Sequence, residues 1–450
     1  MMLNTAPPGL ALPTKALMNW RYATLALSCL ISLGLSLAGC ATSNSEGYNA
    51  NRATHQPPRQ LAQRAPTDSP KLRLSPEPLL GNTRLRALQR AESRYRAIVA
   101  AGGWPRPLTG PRFQPVDGDP RLQHLRTRLS LSSDLPAWSG GHRDRASASD
   151  VMEALKRFQE RNGVKPTGIV DSETINALNV SADTRLAQLR TNIARIRNSA
   201  SSLASAQRYV VVNIPAFQLE AVEGQRVVQR HRVIVGRPNR QTPEVDTQIQ
   251  NLNFYPYWHV PESIVRRDLI PRIQKDPDFL LKQRIRVLKE WQGKEIPSHK
   301  VNWRSPITLK LKFRQDPGPS NALGVVRLDM PNKHAVYMHD TPMKALFRQR
   351  RRAFSAGCVR VEGVFDLVTW ALRGTPGWNT ARVDHVLANR NQTDIPLPKP
   401  IPVRFVYLTA WANPDGSVSF RPDLYGRDTP LNVASLSRRR HTSSRASISP

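Results

Sequence analysis

The chain has 450 residues, enough for two or three domains, and its 39% hydrophobic content is enough for real cores. Its 38 prolines point to long unpacked stretches as well. The formal net charge of +32 predicts attraction to a polyanion, and a partly hydrophobic chain with these prolines is neither a wholly disordered tail nor a single small domain. Nucleic acid is the usual first candidate for such a charge, but the N-terminus is built for export and sets it aside.

Lys15 and Arg21 supply a positive start, and Tyr22 to Leu37 form a run of apolar and small residues ending in Leu37-Ala38-Gly39-Cys40. The run is shorter than the roughly 20 apolar residues that span a bilayer, and its small-residue end suits cleavage. Residues 1–40 therefore read as an export signal, with an uncleaved anchor as the alternative. Leu-Ala-Gly-Cys resembles the lipobox of bacterial lipoproteins. That resemblance implies that Cys40 carries lipid and becomes the mature N-terminus, anchoring the protein in the periplasm. Ala41, where Asp would retain the protein, implies the outer membrane of a Gram-negative bacterium.

Residues 41–78 are rich in Pro, Gln, Arg, Ser and Thr and read as a disordered tether. Leu85, Leu88, Ala91, Tyr95 and Ile98 then recur at helical spacing, and Gly102-Gly103 with Pro105 end the helix. A second short helix is expected around Arg121 to Leu129, so 79–148 reads as a helical scaffold. In 149–182, Ser149 or Asp150 is placed to cap a helix with Val151, Leu155 and Phe158 on one face. Asn162-Gly163 closes that helix and Asp171 opens the next. Ala154 to Gln159, Asn162-Gly163, Pro166-Thr167-Gly168 and Ala177-Leu178-Asn179 together resemble the peptidoglycan-binding domain. A further helix, Thr184 to Arg197, lies in a scaffold and hinge stretch at 183–207.

At Tyr209 the chain turns to β-branched segments: Val210 to Ile214, Leu219 to Val222 and Val227 to Val235, with Glu223-Gly224 composed like a tight turn. A β domain is expected over 208–425. The segment 262–320 breaks its pattern with basic, helix-like sequence and reads as an inserted lid. Strands are expected again at Ile307 to Phe313, Gly324 to Leu328, Ala335 to Met338 and Val403 to Ala410. Residues 426–450, with Arg438-Arg439-Arg440, read as a disordered basic tail. The fold class is thus α+β and multidomain: helical scaffold, small helical binding domain, then a β-sandwich-like domain with an inserted lid.

With Cys29 inside the export run and Cys40 at its end, Cys358 is the remaining cysteine. An exported protein pairs its cysteines or avoids them, so a leftover thiol is a candidate nucleophile, with a buried small hydrophobe as the plain alternative. Thiolate chemistry needs a base, and His339, after a strand-like run, is the leading candidate. His339 with Ser355-Ala356-Gly357-Cys358-Val359-Arg360 resembles the L,D-transpeptidase catalytic domain, and the ordered motifs from about 83 to 425 resemble its long Gram-negative subgroup. Ala356 stands where many members have a second histidine, which leaves His339 as the base.

The resemblance implies that Cys358 attacks peptidoglycan stem peptides between the third residue and the D-alanine at position four. His339 is then the general acid and base, the backbone around Gly357 an oxyanion hole, and the Asp340 carbonyl the group that orients His339, with the Asp340 side chain as a competitor. An amine acceptor gives a 3-3 cross-link, water a carboxypeptidase. Two rival readings are attachment of a protein to the wall by the same cysteine and a non-catalytic wall-binding lipoprotein. Carbapenem acylation of Cys358 is also implied. Arg360 suits a substrate or structural carboxylate. Tyr337, Trp258 and Ser355 are placed with Arg360 as substrate-binding residues. No cofactor and no metal site is expected, and the expected partners are stem peptides, glycan and, through the lipid, a membrane.

Overall fold

The computed structural model describes residues 76–105, 108–135, 146–203 and 205–428. The export signal, Cys40, nearly all of the tether and the tail after 428 lie outside the described residues. Among the described residues no helix is long and apolar enough to cross a membrane.

Five helices precede the β-rich part: α1 (Asn82–Ala100), α2 (Arg121–Leu131), α3 (Ala148–Arg161), α4 (Ser172–Leu178) and α5 (Ala182–Ala200). The apolar stripe of α1 (Leu88, Ala91, Tyr95) meets that of α5 (Leu186, Leu189, Ile193, Ile196) in one core. The cap of α3 lies slightly earlier than expected. Ser147 accepts from the Asp150 N–H, and the Asp150 carboxylate accepts in return from the Ser147 N–H, a reciprocal capping box. Asp171 caps α4 as expected, accepting from the Thr174 N–H. Leu122, Leu125 and Leu129 of α2, expected with the scaffold, instead share a core with Val151, Leu155 and Phe158 of α3.

The strands are β1 (Arg208–Asn213), β2 (Gln218–Glu223), β3 (Arg226–Gly236), β4 (Val245–Phe254), β5 (Trp258–His259), β6 (Ile285–Leu288), β7 (Lys312–Gln315), β8 (Val326–Asp329), β9 (Met338–His339), β10 (Ala353–Ser355), β11 (Val359–Val361), β12 (Thr393–Val406), β13 (Ala410–Ala412) and β14 (Val418–Phe420). The main sheet runs β10-β3-β11-β9-β8-β4-β12-β1-β2, and β2 pairs back onto β3. The sandwich-like layers therefore belong to one sheet that closes on itself, with β10 outside the ring. Closure explains why Val210, Val211 and Val212 are all buried although strand side chains alternate. Val210 and Val212 fill the interior core with Leu252, Phe254, Leu328 and Phe405. Val211 faces out, against the core that α1 and α5 build.

The segment expected to be helix-like from 262 is more than helical turns. It carries its own three-stranded sheet, β5-β7-β6, around a separate small core of Val260, Val265, Leu269, Ile273, Val287 and Phe313. The strand expected at Ile307 to Phe313 begins only at Lys312. Pro306 starts a tight helical turn there, and Ser305 accepts from the Ile307 N–H. The strand expected from Ala335 is likewise only Met338–His339. Asn332 accepts from the His334 and Val336 N–H groups, and Ala335 takes a left-handed φ of 50°, so the chain turns before it pairs.

Candidate active site

Two short strands bring the chemistry together. β9 and β11 are parallel neighbours in the register Val359↔Met338 and Arg360↔His339. Cys358 immediately precedes β11, and the Val359 N–H donates to the Tyr337 carbonyl at 3.0 Å. A histidine and a cysteine separated by a long loop in sequence are thus brought onto and next to adjacent strands.

His339 is buried. Its Nδ1 is hydrogen-bonded to the carbonyl oxygen of Asp340, which can only accept. The ring proton therefore sits on Nδ1, and Nε2 carries the lone pair a base needs. Burial, with the Arg360 charge across the register, pushes the imidazole down to about 3, although the Asp340 and Leu323 carbonyls favour its protonated form. The Asp340 carboxylate, the competing orienter, points elsewhere. Its Oδ2 accepts from the Val325 N–H at 3.0 Å and its Oδ1 is ion-paired with Lys344. Gly324 is required beside it: its φ is 62°, and a Cβ there would lie 2.6 Å from that of Asp340.

The Cys358 residue is partly exposed, with its thiol set deeper among the neighbouring groups. Its surroundings push the thiol up by desolvation, against the Tyr337 N–H and hydroxyl and the charges of Arg360 and Arg327, which favour the thiolate. With the thiol held up and the imidazole held down, both groups are neutral near pH 7.

Tyr337 lies against this pair, with its ring centroid 5.7 Å from that of His339. Its hydroxyl is raised by burial and lies near Cys358 and Trp258. Trp258 belongs to β5 and packs against the core of the inserted segment, which links that segment to the thiol through Tyr337. Arg360 meets no carboxylate in an ion pair among the described residues. Its Nη1 donates to the Met343 sulfur at 3.5 Å, and its Nε is buried without a partner.

Two of the expected site residues are engaged within the loop itself. Ser355, expected to touch substrate, is buried and braces the loop: Oγ donates to the Cys358 carbonyl at 2.6 Å and accepts from the Gly357 N–H at 3.1 Å. That second bond engages the Gly357 N–H, part of the backbone expected to form the oxyanion hole, within the loop. Gly357 itself adopts φ 129°, a conformation that suits glycine. Sequence reasoning missed Thr242, which is fully buried and donates from Oγ1 to the Gly357 carbonyl at 2.7 Å. Its signal, Gly236 followed at a short interval by Thr242-Pro243, carries no titratable group and so did not stand out as chemistry. Among the described residues no cluster of His, Cys, Asp and Glu has the arrangement of a metal site.

Residues 207–379 match the YkuD family, the L,D-transpeptidase catalytic domain, and residues 119–178 match a family described as "Putative peptidoglycan binding domain". A curated relative from Haemophilus influenzae, "Putative L,D-transpeptidase", is 33% identical over 228 residues, which cover 50% of this chain and 46% of that protein. The chain thus matches about half the length of that relative. A solved L,D-transpeptidase from Stackebrandtia nassauensis aligns at 13% identity, covering 71% of this chain and 98% of that one, with a TM-score of 0.23. One from Xylanimonas cellulosilytica aligns at 15% identity, covering 67% and 100%, with a TM-score of 0.21. Those scores are too low to bear on the fold. The two family matches cover the two units whose geometry is described above, and the chain carries a YkuD-type L,D-transpeptidase catalytic domain preceded by a peptidoglycan-binding domain.

Proposed function

We propose that the protein is a cysteine L,D-transpeptidase that forms 3-3 cross-links in peptidoglycan. The observation that supports this reading is the β9–β11 register: Cys358 directly precedes the strand that pairs with the one ending in His339, whose Nδ1 is bound to the Asp340 carbonyl, so that Nε2 is left as the basic nitrogen. Cys358 Sγ attacks the carbonyl between the third, diamino residue and the fourth, D-alanine residue of a tetrapeptide stem, while His339 Nε2 takes the thiol proton. The C–N bond breaks, His339 returns that proton to the D-alanine amine, and D-alanine departs to leave a thioester on Cys358. The side-chain amine of a second stem then attacks the thioester, and the S–C bond breaks with the sulfur reprotonated.

The Cys358 N–H is the donor offered to the oxyanion once Gly357 is engaged by Ser355. Arg360, with an unpartnered buried Nε, suits a stem carboxylate. Trp258 and Tyr337 form the wall between the inserted segment and the thiol, and that segment acts as a lid. Leu37-Ala38-Gly39-Cys40 supports lipid attachment at Cys40 and a periplasmic site at the outer membrane, where the positive charge and the binding domain hold the anionic wall. Carbapenem acylation of Cys358 belongs to the same reading.

The test is to incubate purified stem tetrapeptides with wild type and with Cys358→Ala and to identify the products by mass. A 3-3 dimer made by wild type and lost in the variant supports the reading. Tripeptide alone replaces transfer by hydrolysis, and no product at all makes the protein a wall-binding tether.

A further inference from the structure

Thr242 lies in the loop between β3 and β4, far in sequence from the cysteine. Besides donating to the Gly357 carbonyl, its Oγ1 accepts from the Gly236 N–H at 2.8 Å. Tyr425 fixes the same corner, donating its hydroxyl to the Gly236 carbonyl at 2.7 Å and accepting from the Thr242 N–H at 3.2 Å. The threonine hydroxyl is thus held on both sides and has one direction in which to point its proton.

That direction matters because of the peptide it meets. A trans peptide is a rigid plane in which the carbonyl of one residue and the N–H of the next point in opposite directions. Anchoring the Gly357 oxygen on Thr242 therefore aims the Cys358 N–H away from Thr242. The Gly357 N–H and the Cys358 carbonyl are already engaged, both by Ser355 Oγ. We infer that Thr242 is a positioning residue that aims the Cys358 N–H at the oxyanion formed when Cys358 attacks an acyl carbon. The inference rests on Cys358 as an acyl-accepting nucleophile and holds whatever amine or water completes the reaction.

The test compares two reactions of the same sulfur in wild type, Thr242→Val and Thr242→Ser, with Cys358→Ala as background. Acylation by p-nitrophenyl acetate forms the S–C bond, breaks the ester C–O bond and releases p-nitrophenolate through a tetrahedral oxyanion. Alkylation by iodoacetamide forms an S–C bond and expels iodide with no oxyanion at all.

Removing an oxyanion donor outright costs roughly 100- to 1,000-fold, so misaiming one is expected to cost about 10- to 100-fold. Thr242→Val should slow acylation by that factor while alkylation stays within about twofold of wild type, and Thr242→Ser should restore acylation. Acylation unchanged in Thr242→Val overturns the inference, as does an equal fall in both rates, which would make Thr242 a general brace of the loop. A wild type that is alkylated but never acylated by the ester overturns it as well. Release of D-alanine from a tetrapeptide stem, read in parallel, reports on the proposed function separately: its absence in a wild type that the ester does acylate refutes that function and leaves the role of Thr242 standing.

Discussion

The closed sheet and the inserted segment hold the same site from two sides, and they are built to different standards. The sheet buries Val210, Leu252, Phe254, Leu328 and Val361 completely, and it carries His339 at the end of β9 and Cys358 just before the neighbouring β11. The inserted segment has a core of its own, but its sheet has three strands and stays open, and it leaves Leu281, Ile307 and Trp291 exposed. Under the proposed function, catalytic geometry resides where long-range pairing over-determines each position. The proposed substrate contact through Trp258 belongs to the part with fewer constraints, where local opening is less costly.

The sharpest way to break this contrast is to remove chemistry from the sheet without touching its packing. His339→Gln should lower the rate of D-alanine release by roughly 100- to 10,000-fold, the range for loss of a general acid and base, with little change in Tm. The wild-type pH profile carries the sign of the same argument. A histidine held at about 3 is an unprotonated base throughout the neutral range, so activity should persist below pH 6 instead of falling through the ordinary histidine value of about 6.5. An acid limb near 6.5 in kcat/KM would mean that His339 is not desolvated in the working enzyme.

Next in size is packing. Phe405→Ala, in the sheet interior, should cost about 3–5 kcal/mol of global stability, read as a lower Tm and urea midpoint. Phe313→Ala removes an equally buried ring from the inserted core. Its effect should be confined there: faster amide exchange over 258–320, with protection of β1, β4 and β12 unchanged. Exchange that quickens throughout the sheet would show that the two regions unfold as one unit.

The smallest effect is expected at the contact between the binding domain and the loop that precedes Cys358. Arg350 donates to the Gly163 carbonyl at 3.1 Å and pairs with Glu173 at 2.6 Å, but both side chains are about half exposed. Arg350→Ala should change stability by at most about 1 kcal/mol, measured by urea titration. A larger loss would mean that the domains are coupled through this loop.

What was legible in the sequence follows the same division. Helical periodicity in α1 and α5 and the β-branched run of β1 rest on local pattern, and these elements form where expected. The histidine and cysteine motif lies inside the stretch that matches the L,D-transpeptidase catalytic domain. The paired strand beside Cys358 was over-read because Ala335 and the Asn332 turn interrupt a composition that otherwise suits a strand. The closure of the sheet depends on β12 lying between β1 and β4, an arrangement set by partners roughly 150–200 residues away. Thr242 was invisible for a related reason: its role lies in a hydrogen bond to a backbone carbonyl on a distant loop, and no side-chain motif records that.

The central claim is that Cys358 carries the acyl group, and intact-protein mass spectrometry during turnover of a tetrapeptide stem tests it most directly. The account predicts a transient mass increase equal to the tripeptide acyl group, mapped by proteolysis to the peptide containing Cys358 and absent from Cys358→Ala. Cross-linked product forming with no adduct on Cys358, or forming equally well in Cys358→Ala, would contradict it.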